Sequence, residues 1–119
     1  RMILNTGGLV RELIRRHLRG GDVNHLALLF HTALADMALA ACLRVRSECG
    51  VNTVALTGGC YQNHLLLELT EQRLEQKEFR VLTHRLIPPN DGGVCLGQAV
   101  YAMHQIQEQA IGMEEVLCV

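Results

Sequence analysis

The feature that most constrains the fold is a pair of strand-to-helix corners within residues 53–98. In the first corner, a β-branched run at residues 53–57 leads directly into Gly58 and Gly59. In the second, the sequence Pro-Pro-Asn-Asp-Gly-Gly at residues 88–93 opens a helical pattern. Backbone without Cβ atoms lets a ligand approach closely, and the helix that follows directs its first amides towards that ligand. The pattern therefore predicts half of a nucleotide-binding α/β site.

Hydrophobic periodicity divides the remainder into helices around one βαβ unit. A first helix follows the apolar positions of residues 9–18, and a long second helix begins after Asp22 or Asn24 and ends at Gly50. Strands at 53–57 and 79–83 enclose a helix at 62–76, and a last helix covers 92–107, which indicates parallel strands and a right-handed crossover. The predicted buried stripe of the second helix is Leu26, Phe30, Ala33, Leu34, Met37, Ala38, Ala41 and Val45.

Two strands are too few for an open sheet that is covered on both faces. We therefore interpret residues 1–119 as a single, partial domain. Its sheet would be completed by further polypeptide or by a homo-oligomer.

Charge and cysteine content exclude several classes of function. The 11 basic and 12 acidic residues are interspersed, so neither a general nucleic-acid footprint nor an anionic-membrane surface is expected. The five cysteines form no Cys-x-x-Cys pair, which favours a reducing cytoplasm over a disulfide framework. His31 and Asp36 interrupt the longest apolar stretch, residues 26–43, so we do not expect that stretch to span a membrane.

The candidate site residues each have a simpler structural explanation. Gly58 and Gly59 form either a ligand-binding corner or a tight turn, and Asn63 either binds a ribose hydroxyl or caps a helix. Asp91 is either a ligand of a hard or borderline metal ion or an ordinary helix cap. Because successive parallel strands end at one edge of a sheet, we expect both corners to face a single crevice.

The histidines and cysteines give weaker signals. No His-x-x-x-His pair occurs, so the chain does not hold a full His/Asp metal site. For His31, beside Phe30, a hydrogen-bonded and partly buried imidazole is a more common outcome than a ligand. Cys60 is a nucleophile candidate only because it follows Gly59.

Three segments carry a resemblance to a known family. They are VALTGGCYQNHLLL at 54–67, FRVLTHR at 79–85 and PPNDGGVCLGQ at 88–98. Together they resemble the carboxy-terminal part of the HypF family, the carbamoyltransferases of [NiFe]-hydrogenase maturation. Phe30-His31-Thr32 also matches, and the resemblance covers residues 26–102.

The resemblance implies a fold and a reaction. The fold is half of an actin-, Hsp70- and sugar-kinase-like (RNase H-like) domain. It is shared with the tRNA threonylcarbamoyl-adenosine synthesis protein and with antibiotic O-carbamoyltransferases. The implied reaction converts carbamoyl phosphate and ATP to carbamoyl-adenylate. The carbamoyl group then passes to the C-terminal cysteine of a HypE partner protein, as precursor of the cyanide ligands on the hydrogenase iron.

The resemblance also assigns roles to residues by their position in the motifs. It implies a metal at Asp91, with Mg²⁺ accompanying ATP, and with zinc or iron as candidates in the complete domain. The residues implied in nucleotide binding are Gly58, Gly59 and Asn63 at the adenosine corner, and Asn90 and Gly92 near the phosphates.

Departures from the family pattern leave other readings open. The family's paired metal-binding histidines are not in this sequence, so we expect the chain alone to be inactive. Cys60-Tyr61 and His64 replace residues that are more often Val-Phe and Arg in the family. One alternative function is a non-catalytic interaction module. Another is the tRNA-modifying enzyme, which is expected to carry an Asp-Asn pair where this chain has Asn90-Asp91-Gly92.

Overall fold

Six regular elements and two short 3₁₀ helices follow one another along the described part of the chain. The computed structural model describes the backbone of residues 4–117 and the side chains of residues 4–107. The helices are α1 (Gly7–Leu18), α2 (Val23–Cys49), α3 (His64–Glu75) and α4 (Val94–Leu117), the strands are β1 (Thr53–Ala55) and β2 (Arg80–Leu82), and the 3₁₀ helices are Gly59–Gln62 and Asp91–Gly93.

The two strands pair in parallel on either side of α3, which confirms the predicted βαβ unit. Thr53 lies opposite Arg80, and the Leu56 amide extends the ladder by donating to the Leu82 carbonyl at 2.9 Å. Both strands are shorter than predicted. Gly58, with φ of 100°, turns the chain out of the sheet after β1, and Glu78, with φ of 62°, delays the start of β2.

The predicted ends of α2 are confirmed by their capping contacts. The Asp22 carboxylate accepts a hydrogen bond from the His25 amide at 2.8 Å, which makes Asp22, not Asn24, the N-terminal cap. At the other end, Gly50 takes a left-handed conformation with φ of 71° and donates to the Arg46 carbonyl.

The predicted buried stripe of α2 is partly wrong. Ala35, which the stripe omits, is 0% exposed, whereas Val45 at its end is 44% exposed. The face that packs against the central core carries Leu39, Cys42 and Leu43. This helix is apolar on nearly every side, so apolarity alone does not select a face. Packing against α3 and against the core residues Leu56 and Phe79, which adjoin the strands, selects it.

The core is small and lies between α2, α3 and the sheet. Leu56, Leu74 and Phe79 form its buried centre. Thr70 is also fully buried, and its hydroxyl donates to the Leu66 carbonyl at 2.7 Å, so the polar atom is satisfied inside the helix.

Arg46 joins the C-terminal end of α2 to the turn before β2. Its guanidinium lies 4.2 Å from the centre of the Phe79 ring. The same group donates to the Lys77 carbonyl at 2.7 Å and to Asn52 Oδ1 at 3.1 Å. Asn52 in turn donates to the Glu78 carbonyl at 2.6 Å. These contacts position β2, and therefore the loop that follows it.

The described chain is elongated. Its radius of gyration is 20.1 Å, against roughly 14 Å for a compact domain of this length. Helix α4 leaves apolar surface uncovered, because its side chains Val100, Met103 and Ile106 are all more than half exposed. Residues 1–119 remain predicted, not shown, to be one partial domain.

Helix α2 is the one helix in the described part of the chain that is long and apolar enough to cross a membrane. Core helices of soluble proteins share that length and composition. Here α2 packs against α3, and Asp36 on α2 forms an ion pair with Arg73 on α3. The absence of a membrane partner stays a prediction.

Candidate functional site

The two predicted corners meet at one edge of the sheet. The Gly58 amide donates to the Pro89 carbonyl at 2.8 Å, and a Cβ built on Gly59 would lie 3.9 Å from the Cβ of Asn90. Between the corners is a cleft of about 360 Å³, which we call the glycine cleft. Its walls are Thr57, Gly58, Gly59, His84, Pro88, Pro89, Asn90, Asp91, Gly93, Val94 and Gly97. The expectation that the corners share one crevice is therefore confirmed.

Gly58 shapes the cleft without offering its amide to a ligand. Its φ of 100° and ψ of 155° are a conformation that side chains rarely adopt, so glycine is required at this corner. Its N–H is already bonded to the Pro89 carbonyl and is therefore not available to a ligand. The sequence did not predict this hydrogen bond between the two corners. Gly59 has more space, since no atom comes within 3.8 Å of a Cβ at that position.

Asn90 organises the second corner. Its side-chain Oδ1 accepts from the Gly92 amide at 3.0 Å, and its carbonyl accepts from the Gly93 amide at 3.0 Å. Gly93 is tightly enclosed, because a Cβ there would lie 2.7 Å from the Pro88 carbonyl oxygen. The amides of Gly92 and Gly93 are thus occupied within the loop, which leaves side chains to meet a ligand.

Asp91 is exposed on the wall of the glycine cleft. Asn90 performs the capping for which the sequence had also made Asp91 a candidate, so the carboxylate is not a helix cap. Within the described residues it forms no hydrogen bond or ion pair. Its position before α4 favours a negative charge. An unpaired carboxylate on a cleft wall suits a hard metal ion. However, residues 4–107 contain no group of three or more potential metal ligands around it.

Asn63 lies outside the walls of the glycine cleft. Its Oδ1 caps α3 by accepting from the Leu66 amide at 3.2 Å, and its Nδ2 donates to His31 Nε2 at 2.8 Å. His31 Nδ1 donates to the Ala27 carbonyl at 2.7 Å, so both ring nitrogens are satisfied. The prediction of a hydrogen-bonded His31 is confirmed. The predicted contact of Asn63 with a nucleotide stays a prediction.

His84 and Thr57 are site residues that our sequence reasoning missed. His84 Nε2 lies 2.9 Å from Thr57 Oγ1, and both side chains line the glycine cleft. His84 also borders an adjoining, more enclosed cleft of about 310 Å³, which includes Tyr61 and Leu67. A usable signal was present, because both residues lie just beyond the carboxyl ends of β1 and β2, at the edge of the sheet where ligands bind.

Tyr61 and Cys60 border this region without showing catalytic chemistry. Burial raises the pKa of the Tyr61 hydroxyl, and the neighbouring Cys60 raises it further, so the phenol stays protonated at neutral pH. Cys60 itself is exposed. In the part of the chain that is described, its sulfur has no hydrogen bond to a base, so the structure does not support a nucleophilic role.

Comparison with known proteins identifies relatives of this chain. The family model described as "Carbamoyltransferase, Kae1-like Domain, second subdomain" matches residues 1–98. The carbamoyltransferase HypF2 of Cupriavidus necator is 40% identical over 76 residues, which are 64% of this chain and 9% of that protein. The carbamoyltransferase HypF of Synechocystis is 39% identical over 75 residues, 63% of this chain and 9% of its own length.

A solved structure agrees with the sequence matches. Its title is "Crystal structure of full-length HypF in the phosphate- and nucleotide-bound form". The similarity has a TM-score of 0.76 and 32% identity, and it covers 78% of this chain and 12% of that one. The chain thus spans about a tenth of the length of these relatives. It belongs to the HypF carbamoyltransferase family, as an α/β part of the second subdomain of the Kae1-like domain.

Proposed function

We propose that this chain forms one wall of a carbamoyltransferase active site that binds a nucleotide and its metal. The observation that supports this most strongly is the glycine cleft, where Gly58 is bonded to Pro89 and the unpaired Asp91 carboxylate lies on the same wall. A solved relative whose title names bound phosphate and nucleotide gives a reason to expect ligands of that class.

The proposed roles follow from what each group has left to offer. Gly59 admits a ligand close to the backbone because its nearest neighbours leave room. The side-chain amide of Asn90 and the carboxylate of Asp91 supply polar contacts, while Gly92 permits the tight turn between them and α4. Asp91 would hold one face of a divalent ion such as Mg²⁺, which supplies positive charge beside phosphate oxygens.

The proposed reaction is that of the family as a whole. Carbamoyl phosphate, ATP and water yield carbamoyl-adenylate, phosphate and pyrophosphate. The carbamoyl group then passes to a cysteine thiol of a HypE-like partner protein in the cytoplasm, and AMP is released. Zinc or iron in the complete domain would need ligands beyond the described side chains, since Asp91 has no companion ligands among them. We therefore propose that the isolated chain does not turn over.

A chimaeric enzyme tests this proposal. The part of the Cupriavidus necator relative that corresponds to residues 1–98 is replaced by those residues of this chain, and carbamoyl transfer that depends on ATP and carbamoyl phosphate is measured. We expect the chimaera to be active. We also expect Asp91→Asn to lower its rate at least about tenfold, because groups at metal sites typically contribute that much.

Asp22→Asn is the matched control for this experiment. It makes the same chemical change at a helix cap remote from the glycine cleft, and Asn caps helices as well as Asp does. The control chimaera should keep its activity. Full activity in the Asp91→Asn chimaera would show that the carboxylate has no part in the reaction, and the proposal would be abandoned.

A further inference from the structure

The side chains that line the glycine cleft include few that can carry a positive charge, which is unusual for a site proposed to bind phosphates. Among the residues that line it, Asp91 brings a negative charge and neither lysine nor arginine is present. Hence His84 is the one side chain in this lining that is able to carry a positive charge. A polyanion in the cleft needs cationic or hydrogen-bond-donating partners to offset the carboxylate.

The contact with Thr57 fixes how His84 can act. One ring nitrogen, Nε2, is occupied by the Thr57 hydroxyl at 2.9 Å. When that hydroxyl donates to Nε2, the neutral imidazole carries its proton on Nδ1, which becomes a donor. When the ring is protonated, Nδ1 is a donor as well. Because His84 is exposed, this second nitrogen can meet a ligand in the cleft.

We propose that His84 binds an anionic phosphoryl oxygen of the ligand through Nδ1, and that Thr57 orients its ring. The inference rests on the proposed function, since it assigns a further binding residue to the same cleft. Thr57 and His84 each lie two residues beyond the end of their strand, β1 and β2, so the parallel pairing of the strands brings the two side chains together. The hydrogen bond between them then spans the edge of the sheet where the ligand would lie.

Titration of the 119-residue chain, followed by its amide NMR spectrum, tests this role. The probes are Mg·ATP, inorganic triphosphate and adenosine, since triphosphate carries only the anionic part and adenosine only the uncharged part. For the wild type, we expect triphosphate and Mg·ATP to shift the amide signals of Gly58, Gly59 and Asp91. For His84→Ala, we expect the Kd of both anionic probes to rise roughly tenfold to hundredfold, as for loss of a hydrogen bond to a charged group.

Further variants separate the two nitrogen atoms of the ring. His84→Asn places an amide nitrogen near the position of Nδ1, so it should recover part of the affinity for triphosphate. Thr57→Val removes the orienting hydroxyl without changing size, and it should weaken triphosphate binding less than His84→Ala does. Because the two residues act as one unit, the double variant should bind no more weakly than His84→Ala alone. His25→Ala, remote from the cleft, is the control.

The outcomes distinguish this inference from the proposed function. If Mg·ATP shifts the cleft amides equally in wild type and in His84→Ala, the role of His84 is wrong and the proposed function stands. If the affinity for adenosine falls as much as that for triphosphate, His84 supports the fold and not the anion. If wild type shows no shift with Mg·ATP at the three cleft residues, both the proposed function and this inference fail.

Discussion

Replacing Arg46 with alanine should destabilise the chain far more than the same change two residues away, at Arg44. The Arg46 guanidinium donates to the Lys77 carbonyl at 2.7 Å and lies 4.2 Å from the centre of the Phe79 ring. A hydrogen bond from a charged donor contributes about 1.5–3 kcal/mol, and a cation–π contact at a partly exposed site about 0.5–1 kcal/mol. The contact with Asn52 adds to these but shares the same donor group.

Since Arg46 is only partly buried, we take the lower part of these ranges and expect a loss of about 2–3 kcal/mol. Arg44 on the same helix is the matched control. Its ion pair with Glu48 joins side chains that are 63% and 57% exposed. Such a pair contributes about 0.3–0.5 kcal/mol, and the helix-propensity change is the same for both arginines.

The assay is urea denaturation of the chain followed by circular dichroism, with the slope compared between variants. Arg46→Lys should fall between wild type and Arg46→Ala, because lysine keeps the charge but loses the planar group that stacks on Phe79. The reasoning is refuted if Arg46→Ala and Arg44→Ala lower the free energy of unfolding by the same amount.

Three further predictions test the loop, the thiols and the pH dependence. Gly93→Ala should destabilise the fold by about 1–3 kcal/mol, because its Cβ would lie 2.7 Å from the Pro88 carbonyl oxygen. Gly8→Ala, in the first turn of α1 with no atom within 4 Å of a Cβ, should instead stabilise it by about 0.5–1 kcal/mol in the same urea assay. Burial raises the pKa of the Cys42 thiol, so iodoacetamide should label Cys42 more slowly than the exposed Cys49, Cys60 and Cys95. Peptide mass spectrometry measures the labelling rates, and equal rates would contradict the partial burial of Cys42. Burial raises the pKa values of Cys42 and Tyr61 above the ordinary 9.0 and 10.0, so the unfolded chain releases these protons first. The contribution of these two protonated groups to folding stability is therefore complete below pH 9.0, and it is lost as the pH rises through their raised pKa values. A Tm that stays constant as the pH is raised through this range would contradict the prediction.

Sequence patterns sufficed where a residue's own chemistry dictates the local backbone. Asp22 and Gly50 delimit α2 because a carboxylate satisfies free amides and glycine accepts a left-handed conformation. The βαβ unit followed from the spacing of its elements, and parallel pairing then brought the two corners to one edge of the sheet.

The patterns failed where a partner distant in sequence decides the outcome. The buried face of α2 is centred on Ala35 and Leu39, because α3 and the core residues that adjoin the strands pack there, and an all-round apolar helix carries no signal of that choice. Likewise, the bond from Gly58 to Pro89 and that from His84 to Thr57 each join residues that lie far apart in the sequence. No local motif predicts either contact.

The central claim is that both corners form one cleft that holds a nucleotide and its metal. Paramagnetic broadening by Mn·ATP, with Mn²⁺ in place of Mg²⁺, tests it directly in the amide spectrum of the chain. We predict broadening of Gly58, Gly59, Asp91 and Gly93 together, and its loss in Asp91→Asn. Broadening at one corner alone, or the same broadening in Asp91→Asn, would contradict the claim.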